Sequence, residues 1–157
     1  MMIDKKISVF DLDNTLVFTD KLNNESYNFA LTKIGKERIV DVKRITRNIV
    51  NSVYELTRDE KQQLIKMKQE YFVNNISKIE LNVDLISKLK ELDSSKCILW
   101  TRAEKVRTEA ILKYLQVDDC FAKVFYSSKN DLESDIKTIC SLFNCKKEEL
   151  IFYDDIT

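Results

Sequence analysis

The sequence has no histidine and no proline, a single glycine, and four cysteines in 157 residues. Without histidine, no Ser-His or Cys-His nucleophile pair can form, and the usual nitrogen partner of a zinc site is missing. Acid–base and nucleophilic chemistry must then fall to Asp, Glu, Lys, Cys, Tyr, Ser or Thr. The cysteines, Cys97, Cys120, Cys140 and Cys145, include no CxxC pair. They read as reduced, buried thiols. Net charge is also absent: 26 Lys and Arg balance 26 Asp and Glu, spread along the chain rather than blocked. Neither a nucleic acid nor an acidic membrane surface is therefore an expected partner. No apolar run approaches the ~20 residues of a membrane span. The opening MMIDKKISVF has no apolar signal core, so a cytoplasmic protein is expected. There is no internal repeat, low-complexity tract or Pro/Gly linker.

What is present alternates. Four short apolar runs, Ile7–Phe10, Cys97–Trp100, Val124–Tyr126 and Leu150–Tyr153, read as strands, each followed by polar residues. Helical patterns separate the later ones: Leu85, Leu89 and Leu92; Val106, Ala110, Ile111 and Tyr114; Ile136, Ile139, Cys140 and Phe143. Strands alternating with helices predict an α/β domain with a parallel, Rossmann-like sheet. Residues 21–79 break the alternation and predict a helical insertion, leaving 1–20 and 80–157 as the α/β core. Within the insertion, one helix passes through Tyr27, Ala30, Leu31 and Ile34 and ends at Gly35. A second is expected through Val42, Ile45, Ile49 and Val53. A third follows the capping box Thr57-Arg-Asp-Glu60 and carries Leu64, Met67 and Tyr71.

The stretch ISVFDLDNTLV ends a strand in carboxylates. On an extended chain, side chains two apart share a side, so Asp11 and Asp13 converge while Leu12 turns away. Like charges so close repel unless something rewards them. Ligands of open parallel sheets bind beyond the carboxyl ends of the strands. There the four strands deliver Asp11, Asp13 and Thr15; Thr101 and Arg102; Ser127, Ser128 and Lys129; and Asp154 and Asp155. A hard divalent cation bound by carboxylate oxygens, such as Mg2+, resolves the repulsion. One carboxylate is then able to attack a phosphoryl group while the cation and a lysine neutralise its oxygens.

These segments resemble the motifs of the haloacid dehalogenase (HAD) superfamily of Mg2+-dependent phosphohydrolases. VFDLDNTLV is similar to the first motif, a strand followed by DxDxT; ILWTRA to the second; SSKND to the third; LIFYDD to the fourth. The resemblance implies that Asp11 is the nucleophile and a metal ligand. Asp13 protonates the leaving oxygen and binds metal through its backbone carbonyl. Thr101, Arg102 and Lys129 hold the phosphoryl oxygens, and Asp154 and Asp155 complete the metal site. The insertion resembles the family's C1-type helical cap, and the implied substrate is a small phosphorylated metabolite. An impaired phosphate-binding module and a HAD-type protein phosphatase are the other readings, the long insertion counting against a protein substrate.

The chain departs from the family pattern in places. Asn14 replaces the commoner Gly, Asn130 rather than Pro follows Lys129, and the fourth motif is DD. The sequence ends at Thr157 without the fifth strand usual in this fold, so a sheet shortened on its C-terminal side is expected. Some residues admit two roles. Thr101-Arg-Ala-Glu104 is also a capping box. Lys137 competes with Lys129 for the phosphate. The run Arg38, Lys43, Arg44 and Arg47 reads as a basic face on the second inserted helix, solvated or touching a distal anion of the substrate. An EF-hand is excluded, because Leu16 and Leu22 stand where its Gly and bidentate Glu belong.

Overall fold

The computed structural model describes residues 6–153. The chain divides into two compact units, Thr19–Glu80 and the remainder.

In the α/β unit, strands β1 (Ile7–Phe10), β4 (Cys97–Thr101), β5 (Lys123–Tyr126) and β6 (Leu150–Tyr153) form a four-stranded sheet in the order β5-β4-β1-β6. Every pairing is parallel. The two central strands are apolar at nearly every position because both faces are covered: all residues of β1 and β4 are buried. Ile7, Val9, Ile98, Trp100 and Leu150 pack with Ile139 of helix α6 (Leu132–Phe143), and Ile136, Cys140 and Phe143 of the same helix lean on this cluster. Helices α4 (Val83–Glu91) and α5 (Lys105–Leu115) complete the unit. The expected face of α5 is partly overturned. Val106 and Tyr114 are exposed, whereas Thr108, Ile111, Leu112 and Leu115 are buried.

The helical unit contains α1 (Asp20–Lys33), α2 (Arg47–Val53) and α3 (Arg58–Asn74). Its core joins Tyr27, Ala30, Leu31, Ile39, Ile45, Val50, Leu56 and Leu64. Helix α1 ends in a Schellman motif: Lys36 N–H donates to Leu31 O, Gly35 N–H donates to Thr32 O, and Gly35 takes φ +82°. The Thr57–Glu60 capping box opens α3. The second helix is shorter than the pattern predicts, beginning only at Arg47, so Arg38, Lys43 and Arg44 share no helical face with it. The reason lies in α1. Asn28 donates to Ile39 O and accepts from Ile39 N–H; Asn24 accepts from Ile45 N–H and donates to Lys43 O; Asn23 donates to Ile45 O. Three asparagine side chains thus supply the backbone partners that a helix would otherwise provide. A small two-stranded sheet of β2 (Val17–Phe18) and β3 (Glu80–Leu81) was not foreseen from the sequence.

Candidate active site

The first carboxylate stands where the sheet stops. The Asp11 N–H donates to Tyr153 O at 2.9 Å, extending the β1–β6 ladder by one residue. The chain then turns sharply. Leu12 O accepts from the N–H groups of Thr15, Leu16 and Val17, and Asn14 takes φ +61°. Asn tolerates that left-handed conformation because its short polar side chain bonds locally, which explains why glycine is dispensable here. Leu12 and Leu16 are fully buried and anchor the turn. Asp11 Oδ1 accepts from Leu12 N–H at 2.7 Å and lies 3.3 Å from Lys129 Nζ. Burial pushes the Asp11 carboxyl above its ordinary value of 3.8, and the attraction of Lys129 only partly offsets this.

Lys129 is held by a closed set of contacts. Its backbone occupies the left-handed region, φ +57°, uncommon for a residue with a side chain. Its N–H donates to Ser127 Oγ at 3.0 Å, and Ser127 Oγ in turn donates to Asp135 of α6. Asp135 Oδ2 also accepts from Trp100 Nε1 at 3.1 Å, and the Trp100 ring carries Lys129 Nζ 4.7 Å from its centroid. Cation, indole, carboxylate and hydroxyl therefore fix one another from β4, the loop after β5 and α6. Lys137 lies elsewhere, on the exposed side of α6 in a groove with Glu133, Ile136, Cys140, Cys145 and Lys147. It is Lys129 that sits beside Asp11.

Thr101 ends β4 with 1% of its surface exposed, and its Oγ1 accepts from Ala103 N–H at 3.0 Å. The expected capping box does not form. Glu104 is itself the N-cap of α5, because the Thr101 hydroxyl closes a tighter turn two residues on. Arg102 is exposed and, among the described residues, makes no ion pair with Asp11 or Asp13.

Asp13 has a partner that the sequence reading missed. Arg107 Nη1 and Nη2 donate to Asp13 Oδ1 and Oδ2, both at 2.7 Å, in a bidentate pair whose side chains are 14% and 22% exposed. One signal was available. Arg107 stands in the first turn of α5, where no acidic residue accompanies it and a cation is unfavourable, so a compensating carboxylate was to be sought.

Among the described residues, no cluster of three or more Asp, Glu, Cys or His side chains is placed to hold a metal ion. Asp154 and Asp155, predicted to join such a site, lie outside the described residues. The donors at the strand tip nevertheless suit a hard cation. They are oxygens only, and Asp11 Oδ2 accepts no hydrogen bond among the described residues. No helix of the described residues is long and apolar enough to cross a membrane.

The parallel sheet thus brings Asp11 and Asp13 after β1, the buried Thr101 at the end of β4 and Lys129 after β5 to the carboxyl edge, where open α/β sheets bind their ligands. No family model and no curated protein matches the chain. Solved structures do. A predicted phosphoglycolate phosphatase from Haemophilus somnus matches at 20% identity with a TM-score of 0.76, over 98% of this chain and 78% of its own. A haloacid dehalogenase-like family hydrolase from Streptococcus pneumoniae matches at 19% identity and TM-score 0.67, over 96% and 76%. A HAD-superfamily hydrolase of subfamily IA from Geobacter sulfurreducens matches at 13% identity and TM-score 0.67, over 94% and 76%. The chain shares the fold of these solved structures, two of which are named as haloacid dehalogenase-like or HAD-superfamily hydrolases.

Proposed function

We propose that the chain is a Mg2+-dependent phosphomonoesterase acting on a small phosphorylated metabolite through an aspartyl-phosphate, with residues 21–79 as its C1-type cap. The observation that carries this reading is the setting of Asp11. It is a partly desolvated carboxylate at the tip of a central strand, 3.3 Å from a lysine ammonium and followed two residues later by a second carboxylate. The names of the solved structures with this fold support the same reaction class.

Asp11 attacks the phosphorus, and desolvation strengthens it as a nucleophile. Lys129, fixed by Trp100 and Ser127, neutralises a phosphoryl oxygen, and Thr101 donates to another. Asp13 serves the leaving oxygen as acid and then directs water at the acyl phosphate. Mg2+ would be held by Asp11, the Asp13 carbonyl and Asp154 or Asp155, and would supply charge neutralisation of the transferred group. A cap of this kind excludes water and selects the leaving group.

The direct test is release of phosphate from p-nitrophenyl phosphate. Turnover that requires Mg2+ and is abolished by chelation is expected, together with a Mg2+-dependent beryllofluoride adduct on Asp11. A pure, folded protein that shows neither refutes the assignment.

A further inference from the structure

We propose that Cys140 and Cys145 form a reversible thiol–disulfide exchange site at the end of α6, whose reaction partner is a low-molecular-weight peptide disulfide such as oxidised glutathione. The pair is built by the way the helix stops. Asn144 takes φ +49°, its N–H donates to Ser141 O at 3.4 Å, and Cys145 N–H donates to Cys140 O at 3.0 Å. This is the Schellman pattern that also closes α1, and it folds the last residue of the motif back against the last turn of the helix. At the end of α1 the two bonded positions are Leu31 and Lys36; at the end of α6 both are cysteine. Sequence spacing conceals this, because residues five apart on a continuous helix lie on different faces. Only the turn at Asn144 brings the two thiols together.

Their surroundings suit exchange. Cys140 and Cys145 are part exposed, not buried as the sequence suggests, and they line one open groove with Glu133, Ile136, Lys137 and Lys147. Burial and the adjacent Cys140 thiol push the Cys145 thiol up to about 11, with Glu149 adding to the shift, so Cys145 stays protonated near neutral pH. The first attack therefore belongs to Cys140. Its thiolate attacks one sulfur of the external disulfide; a mixed disulfide forms, and the departing thiolate takes up the proton that Cys140 released. Cys145 then gives its proton to the second departing thiolate as its sulfur attacks Cys140 Sγ, which leaves a Cys140–Cys145 bond. Two electrons pass from the protein to the external disulfide, which becomes two thiols, and an excess of that thiol reverses both steps. The remaining cysteines are built differently. Cys97 is 1% exposed and its Sγ donates to Asp93 O, whereas Cys120 Sγ donates to Asp119 Oδ1, so that neighbouring pair is closed to a reagent on one side.

The test equilibrates the native chain with mixtures of reduced and oxidised glutathione, quenches in acid, alkylates the free thiols and maps the peptides by mass spectrometry. A Cys140–Cys145 link is expected to grow with the oxidised share and to disappear with dithiothreitol, while the far-ultraviolet circular dichroism stays unchanged. In Cys145→Ser the glutathione adduct on Cys140 should reach at least about tenfold its wild-type level, because the second thiol of the wild type acts at an effective concentration of millimolar or more. In Cys140→Ser the adduct on Cys145 should form at least about tenfold more slowly than the adduct on Cys140 in Cys145→Ser, since the attacking thiolate is lost. Absence of the link at every ratio overturns the proposal, as does a link that forms only in urea or a Cys97–Cys120 bond formed in its place. Equal adduct levels in wild type and Cys145→Ser overturn it as well.

Discussion

The two units of the chain bury polar groups in opposite ways. In the α/β unit the backbone is satisfied by a parallel ladder, and the least exposed ion pairs, Asp11 with Lys129 and Asp13 with Arg107, lie at the strand tips, whereas Lys105 with Glu109 on α5 is open to solvent. In the helical unit the ion pairs, Arg44 with Asp20, Lys36 with Glu60 and Lys78 with Glu25, lie outside the core, and the buried polar work is done by uncharged asparagines on α1. Paired charge at a strand edge is the arrangement that the proposed chemistry uses, whereas amide concentrated in a core holds a shape.

The sharpest way to test that division is Asp11→Asn. If the strand-tip charges serve chemistry, turnover should fall by at least about 10^4-fold, the scale seen when a nucleophile is removed. Far-ultraviolet circular dichroism and the cooperativity of urea unfolding should stay as they are. Loss of both activity and cooperative unfolding would place Asp11 among the structural residues instead.

Asn28→Ala attacks the other side of the comparison. The side chain closes two buried hydrogen bonds on Ile39, and deleting it orphans one N–H and one C=O. A loss of about 2–4 kcal/mol is expected from the urea midpoint, since each unsatisfied buried group costs ~1–3 kcal/mol. Thr57→Ala removes a cap bond at the exposed start of α3 and should cost about 1 kcal/mol in the same assay. Equal losses in the two variants would show that the asparagine contacts are no more than surface-grade.

How much of this was legible follows the same line. Runs such as Ile7–Phe10 and Cys97–Trp100 announce buried parallel strands, because nearly every position is apolar, and the topology then carries Asp11, Asp13, Thr101 and Lys129 to one edge. The α5 face was misread because a polar residue, Thr108, takes a buried position while Val106 and Tyr114 face solvent. The segment before α2 was misread because its apolar residues, Val42 and Ile45, keep helical spacing while Asn23, Asn24 and Asn28, distant in sequence, capture its backbone. Arg107 and Asp135 escaped for a related reason. Their partners Asp13 and Trp100 lie 94 and 35 residues away, and which of them a helix presents depends on its rotation against the sheet.

The smallest effect is read from pH. Burial raises the Asp11 carboxyl above its ordinary value of 3.8, so between that value and the raised one the folded protein holds a proton that the unfolded chain releases. In that window stability must fall as pH rises, the reverse of the behaviour of a carboxylate stabilised by its ion pair. The contribution is fully present below 3.8 and lost once pH has passed the raised value. Urea unfolding of the metal-free protein from pH 4 to 7, with Asp11→Asn as the reference, isolates it. The difference in stability between wild type and variant should decline with pH in the wild type's disfavour. A difference that instead grew in favour of the wild type would mean that Lys129 more than repays the burial of Asp11, and the carboxylate would then be a structural anchor of the strand tip rather than a group held ready to react.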